Sequence, residues 1–379
     1  MTSHWTGGQY SLFRGLLGLG FFSHHWPRAR GVLEEILAGR AGEDAWTILG
    51  LESLGIALAI SLGLGLRDRL AGSLLLAVFL VTTKSESPIL QGDPGFLFLL
   101  FLLITHLHQP AHPFGSMDAV GRADPAGDWK VRRATRIGIW IVLCSHQMLG
   151  GLPLLMSLVS HDSGFLSIVS GLGRVQMAFG LVFPVLALIP AARFEAWVIA
   201  IALIAARALL GDGPIVHPFT FEWPGVVLLY VFAFDPGWIR PRGGDAPELI
   251  FYDGHCALCH RSVRFVLAED QREVFQFAPL QSHVFEKAFP ESVREPLPDS
   301  VVVLTHDGSP RTLSSATIHI LLRLGGAWGV VGRLLWLIPR PARDMGYRLI
   351  AAIRFEVFGR RDDVCPVIPE RLRERFTWD

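Results

Sequence analysis

The chain of 379 residues is long enough for more than one domain, and 51% of its residues are hydrophobic whereas only 18% are charged. This balance is more apolar than that of an ordinary soluble protein and favours an integral membrane protein. Lys and Arg together number 34, as do Asp and Glu, and no polar region interleaves basic with aromatic residues, so we expect no nucleic acid partner.

Apolar blocks separated by short polar breaks recur from Tyr10 to Phe234. About 20 apolar residues cross a lipid bilayer as a helix, so this pattern predicts about eight spans. Gly and Pro interrupt several blocks, which favours a packed α-helical bundle over independent anchors. The spans are predicted at 10–26, 45–66, 69–84, 94–109, 135–159, 172–190, 194–211 and 222–236. The excess of Lys and Arg in alternate loops predicts a multi-pass protein of the bacterial inner membrane with its C-terminal domain in the cytoplasm.

Polar side chains fall inside or at the edge of these spans, where burial in lipid is costly. We expect most of them to hydrogen-bond between helices, and we predict that Arg14 pairs with Glu52. His106, His108 and His112 are spaced as metal ligands near a span end, and both a metal site and interfacial histidines remain open interpretations.

The pattern changes after Phe234, where Pro and Gly mark a linker. We predict a polytopic membrane domain at 1–238, a linker at 239–247 and a C-terminal domain at 248–379. In the last domain, strand-like runs alternate with helical spacing, which indicates an α/β fold: strands are predicted at 248–252, 274–278 and 300–305, and helices at 256–269 and 314–324.

Residues 326–359 mix large apolar side chains with arginines. Such a mixture suits docking on an anionic membrane face. We expect instead that these helices complete the core of the C-terminal domain, with docking as an added role.

Two of the four cysteines, Cys256 and Cys259, lie between a predicted strand and a predicted helix. A cysteine at a helix N-terminus has a stabilised thiolate, because free N–H groups and the helix dipole favour negative charge. We therefore predict that Cys256 attacks and that Cys259, one turn later, resolves the mixed disulfide. His255 and His260 flank the pair, and a protonated imidazole lowers the thiol pKa further. A zinc site completed by Cys365 or nearby histidines, and an inert pair, remain alternatives.

Residues 249–259, LIFYDGHCALC, together with FAPLQS at 277–282, resemble the DCC thiol-disulfide oxidoreductase family. The Asp-x-x-Cys-x-x-Cys signature of the family corresponds to Asp253, Cys256 and Cys259. The segment FGRRDDVC at 358–365 resembles its C-terminal pattern, including a third cysteine, Cys365. The resemblance implies a thioredoxin-like α/β domain with redox activity. His255 departs from the acidic or small residue that is commoner before the first cysteine, which bears on the redox potential.

Thioredoxin-like folds place a cis-proline before the strand that faces the active site. The candidate is Pro298, two residues before Ser300, although turn chemistry alone also explains a proline there. The N-terminal half is similar to the horizontally transferred transmembrane domain, related to the membrane region of vitamin K-dependent γ-carboxylases, through SLFRGLL at 11–17 and SPILQGD at 87–93. No carboxylase activity follows from that similarity.

These features predict a membrane-bound thiol–disulfide oxidoreductase that acts on a disulfide or thiol of a partner protein, or on a small thiol, with Cys256 and Cys259. No cofactor is required, and a quinone-like carrier dissolved in the lipid bilayer is suggested by analogy alone. Two alternatives stay open: a membrane binding or transport module whose appended domain senses redox state, and metal trafficking through Cys256, Cys259 and Cys365.

Overall fold

The computed structural model describes residues 5–83, 94–120, 128–160, 171–210, 222–244, 246–294, 300–360 and 369–377. The chain divides into two compact units. The first, the helical unit, contains residues 12–111 and 131–234. The second, the sheet unit, contains residues 235–379 together with residues 4–11 and 112–130, which the sequence pattern did not group with the C-terminal domain.

Helices occupy each of the eight predicted span positions in the described residues. They are α1 (Gly7–Leu37), α2 (Ala45–Leu64), α3 (Asp68–Thr83), α4 (Pro94–Leu107), α5 (Arg133–Val159), α6 (Gly171–Leu188), α7 (Arg193–Leu210) and α8 (Glu222–Ala233). Of these, α2, α5 and α6 are long and apolar enough to cross a membrane. By contrast, the 14 residues of α4 rise roughly 21 Å, less than the roughly 30 Å of a hydrocarbon core. A count of eight spans is therefore not confirmed.

Buried polar residues of the helical unit form pairs that join two helices, but the partners of Arg14 and Glu52 are not the predicted ones. Arg14 lies 3.8 Å from Asp68, and Glu52 accepts a hydrogen bond from His25 at 2.6 Å, so the predicted pairing of Arg14 with Glu52 is wrong. The reason is the antiparallel packing of α1 on α2. Gly18 lies against Gly63 and His25 against Gly55, which brings Glu52 level with His25 and away from Arg14.

The sheet unit contains a four-stranded mixed sheet in the described residues. Its strands are β1 (Glu248–Tyr252), β2 (Phe275–Pro279), β3 (Val302–Leu304) and β4 (Pro310–Thr312), in the order β2-β1-β3-β4. β1 is parallel to β2 and antiparallel to β3, which is antiparallel to β4. Helix α9 (Ala257–Glu269) connects the two parallel strands, as such a connection requires. The other helices are α10 (His283–Ala288), α11 (Glu291–Arg294), α12 (Leu313–Leu324), α13 (Gly326–Leu337) and α14 (Arg340–Phe358). The predicted alternation of strands and helices is confirmed.

Alternate residues of β1 point to opposite faces of the sheet and supply two cores. On one face, Ile250 and Tyr252 pack with α9, α12 and the C-terminal segment, through a cluster that includes Val263, Val266, Leu267, Phe277, Ile320 and Phe376. On the other face, Phe251 packs with Phe285 and Phe289. Burial on both faces fixes the register of β1 and so fixes the position of the residues that follow it.

Helix α14 departs from the expectation that residues 326–359 complete the core. It contacts α9 and α12, but Arg354 is the single buried residue among its described positions. Five large apolar side chains of α14 are exposed: Met345, Leu349, Ile350, Ile353 and Val357. The expected core role is therefore wrong for the outward face of this helix.

Candidate active site around the cysteine pair

The cysteine pair lies where the central strand β1 passes into α9. Cys256 has an extended backbone (φ −98°, ψ 114°) and is the N-cap residue of α9. Its Sγ accepts a hydrogen bond from the backbone N–H of Cys259 at 3.2 Å. The first turn of a helix has free N–H groups, and an N-cap side chain accepts from one of them. The sulfur of Cys256 therefore occupies the position that a capping oxygen takes in most helices.

The two cysteines have different acidities because Cys256 accepts a hydrogen bond that the Cys259 side chain donates. The hydrogen bond from the Cys259 side chain lowers the pKa of Cys256 from 9.0 to about 7, with further lowering by the Cys259 N–H and the Arg354 charge, while burial and Asp253 act against it. The pKa of Cys259 is raised well above its ordinary range by the same hydrogen bond, and further by burial and by the charges of Cys256 and Asp253. At pH 7, about half of Cys256 is therefore thiolate, whereas Cys259 stays a thiol.

Asp253 organises the turn that precedes Cys256. Its Oδ1 accepts from the backbone N–H of His255 at 3.0 Å and from Nε2 of Gln281 at 3.2 Å. Gln281 in turn accepts from the N–H of Gly254 at 3.2 Å. The Oδ2 of Asp253 accepts from Arg354 at 3.2 Å. The signature aspartate thus holds the turn in shape and recruits a guanidinium from α14.

Arg354 is the site residue that the sequence did not single out. It lies 101 residues after Asp253, on an amphipathic helix rich in arginines, and nothing in the local pattern separates it from the others. Its distinguishing property is burial, which depends on tertiary packing.

The flanking histidines are positioned differently from each other. His255 is exposed, and its backbone N–H contacts Asp253. His260 is buried, its Nε2 lies 2.7 Å from the carbonyl oxygen of Gly254, and its ring packs edge-on against Tyr252. The hydrogen bond of His260 therefore closes the turn before Cys256. Pro298 and Cys365, the other two predicted site residues, lie outside the described residues.

Access to the two sulfurs is unequal. Cys256 is 0% exposed because the segment after α14 covers it: Arg360 forms an isolated antiparallel bridge with Cys256, and the N–H of Ala257 donates to Gly359 at 3.4 Å. Cys259 is partly exposed. Over the part of the chain that is described, no group of three or more His, Cys, Asp or Glu side chains is arranged to hold a metal ion.

The known proteins that resemble this chain match it in the region of the cysteine pair. The model of the DCC1-like thiol-disulfide oxidoreductase family matches residues 250–360. The chain is 30% identical over 129 residues to the uncharacterized protein YuxK of Bacillus subtilis, a match that covers 34% of this chain and 93% of the relative. It is also 30% identical over 129 residues to a chloroplastic DCC family protein of Arabidopsis thaliana, covering 33% and 75%. No solved structure matches the chain significantly. The matched region includes Asp253, both cysteines and Arg354.

Proposed function

Because the chain belongs, through residues 250–360, to the DCC1-like thiol-disulfide oxidoreductase family, we propose that it is a membrane-bound enzyme that exchanges thiols and disulfides with Cys256 and Cys259. The observation that carries the proposal is the position of Cys256 at the N-terminus of α9, where its Sγ accepts from the Cys259 N–H at 3.2 Å and its pKa falls to about 7. A thiol with a pKa near the ambient pH combines a large thiolate fraction with good nucleophilicity.

The reaction proceeds in two steps. The Cys256 thiolate attacks one sulfur of a disulfide in a partner protein or small molecule, the partner's S–S bond breaks, and one partner thiolate leaves. Cys259 then loses its proton and attacks Sγ of Cys256, which releases the second partner thiol and forms the Cys256–Cys259 disulfide. Two electrons pass from the pair to the partner, and the reverse sequence oxidises a partner dithiol. Movement of Gly359 and Arg360 away from Cys256 gives the partner access.

We also propose a thioredoxin-like fold for the sheet unit. The strand order β2-β1-β3-β4, with one parallel pair joined by α9, supports it, as does the position of the cysteine pair after the central strand. For the helical unit we propose about eight spans of the kind found in the horizontally transferred transmembrane domain. Its helices and apolar composition support this, and the charge bias of the loops supports a cytoplasmic sheet unit at the bacterial inner membrane. In that compartment the resting pair is a dithiol.

The test is acid-quenched mass-tag alkylation of the full-length chain in native membranes across a series of defined redox buffers. We expect the pair to titrate as one two-electron couple. Cys259→Ser accumulates a mixed disulfide through Cys256, whereas Cys256→Ser traps none. Cys144→Ser, which removes the free cysteine of α5, is the matched control and leaves the titration unchanged.

Two outcomes would contradict the proposal. If Cys256 and Cys259 resist alkylation until a chelator is added, the pair binds a metal. If the pair titrates as a couple but neither single variant traps a partner, the domain senses redox state without turnover.

A further inference from the structure

A cavity of about 310 Å³ adjoins the cysteine pair within the sheet unit. It is enclosed by α9, α12 and α14 and by the face of the sheet that carries Ile250 and Tyr252. Cys259, Asp253 and Arg354 all line it. Most of the wall is hydrocarbon, from Val263, Val266, Phe277, Ile320 and Leu321. A cavity of this size with a few polar groups is typical of a small-molecule site.

The hydroxyl groups of three serine and threonine residues in the wall already donate hydrogen bonds to the protein. Ser262 donates to the carbonyl oxygen of Leu258 at 3.0 Å, Thr317 to that of Leu313 at 3.5 Å, and Ser300 to that of Val301 at 3.2 Å. Arg354 is the cationic side chain of this lining, and because it is ion-paired with Asp253 it can serve at most one further anionic group. Nicotinamide dinucleotides and glutathione carry several charges, and each charge needs a partner when it is removed from water. The wall therefore favours an uncharged, apolar ligand over either of these.

Where α14 borders the cavity, the exposed surface is partly apolar. Ile350 lines the cavity and is 53% exposed, and its neighbours Met345, Leu349 and Ile353 on α14 are exposed as well. An apolar ligand that leaves a hydrocarbon phase and enters past these side chains loses little free energy of transfer, because the side chains are themselves apolar. A lipid-soluble molecule fits this entrance better than a water-soluble one.

We propose that the cavity binds the ring of a lipid-soluble quinone, which reoxidises the pair after each round in which the pair has oxidised a partner dithiol. This inference rests on the proposed function in that reverse direction, because it identifies the substance that regenerates the disulfide. Cys256 and Cys259 together lose two electrons and two protons and form an S–S bond, while the quinone gains them and becomes the quinol. Arg354 lies in the wall beside Cys259, where a cation stabilises the negative charge that develops on a quinone oxygen.

The experiment uses the full-length chain in nanodiscs of phosphatidylcholine and phosphatidylglycerol, with the pair reduced beforehand. Oxidation of the pair is followed by mass-tag alkylation after addition of decylubiquinone or, separately, oxidised glutathione. Ala351→Phe fills the cavity, and Ala352→Phe is the matched control, since Ala352 is exposed on the same helix and lies outside the lining. We expect Ala351→Phe to lower the ratio of the quinone rate to the glutathione rate at least tenfold, and Ala352→Phe to change neither rate.

A second measurement does not depend on whether Ala351→Phe folds. In Cys256→Ser, a redox-inert hydroquinone diether should slow alkylation of Cys259 by occupying the cavity. The inference is overturned if decylubiquinone fails to oxidise a pair that glutathione disulfide oxidises, if Ala351→Phe leaves the ratio unchanged in a folded protein, or if the diether gives no protection. If neither oxidant reacts through the pair, the proposed function itself fails.

Discussion

The two ends of α9 each carry a carboxylate paired with an arginine, yet the two pairs do different things. At the C-terminal end, Asp270 accepts from Arg375 at 2.5 Å and from the backbone N–H of Phe275 at 2.9 Å, and Arg375 also donates twice to the Phe275 carbonyl. At the N-terminal end, Asp253 and Arg354 face two ionisable sulfurs. An ion pair surrounded by backbone groups clamps the chain, whereas the same pair beside thiols adjusts their acidity.

A second acid at the C-terminal end strengthens the contrast. Glu269 is buried and accepts from the hydroxyl of Thr6, the N–H of Gly8 at 2.9 Å and the indole of Trp328, all within the sheet unit. Three fixed donors hold the segment that begins α1 against the end of α9. The C-terminal end of α9 is therefore an anchoring point for segments distant in sequence, and its acids have no thiol to act on.

The largest effect on stability should come from Asp270→Ala. The substitution leaves the buried guanidinium of Arg375 without its carboxylate and the Phe275 N–H without its acceptor, which costs about 3–5 kcal/mol. We expect thermal unfolding of the purified full-length protein to move to lower temperature, while the pH profile of Cys256 alkylation keeps its midpoint. A shift in that midpoint comparable to the one in Arg354→Gln would mean that the two ends of α9 are not separate.

We expect Glu269→Gln to cause a smaller loss of stability, and one that depends on pH. Burial raises the pKa of Glu269, so its contribution to stability is fully present below its unfolded pKa and is lost as the pH rises through its folded pKa. Glutamine cannot ionise, and its NH₂ group faces donors, so we expect a cost of about 1–2 kcal/mol at pH 5 and less at pH 8. Thermal unfolding at both pH values measures it, and an equal cost at both would contradict the assignment.

At the N-terminal end, the two members of the ion pair should have opposite effects on the thiol. The Arg354 charge lowers the pKa of Cys256 and the Asp253 charge raises it. Arg354→Gln should therefore move the alkylation profile of Cys256 to higher pH and slow the reaction at pH 7 roughly two- to fivefold. Asp253→Asn should move the profile to lower pH. Pseudo-first-order alkylation rates between pH 5 and 9 test both, and shifts in the same direction would contradict the electrostatic account.

Local features of this chain could be predicted from its sequence. The bounds predicted for the helix at 45–66 and the strand at 248–252 agree with α2 and β1 to within two residues, because apolar blocks and turn residues mark them. The position of Cys256 at the start of α9 was predictable for the same reason. Each of these depends on residues that are neighbours in the sequence.

Features that depend on tertiary packing could not be predicted. The choice of Asp68 over Glu52 as the partner of Arg14 depends on how α1 packs against α2. The contact of Arg354 with Asp253 and the cover of Gly359 and Arg360 over Cys256 join segments about 100 residues apart. Many arginines on α14 have the same local surroundings in the sequence, and only the fold selects one of them.

The smallest effect tests a feature on which sequence and structure differ. The sequence predicts that a protonated histidine beside the pair lowers the thiol pKa further than the helix N-terminus does, whereas in the structure the lowering comes from Cys259 and Arg354. His255 is exposed, and it contributes a backbone N–H to Asp253, which any residue except proline would supply. We therefore expect His255→Ala to change the Cys256 alkylation rate at pH 6 by less than about twofold. If His255→Ala slows alkylation as much as Arg354→Gln does at the same pH, the His255 imidazole does stabilise the Cys256 thiolate. Without such slowing, the acidity of Cys256 depends on the Cys259 side chain, on the capping position and on one distant arginine. Relatives that carry another residue before the first cysteine should then retain this acidity.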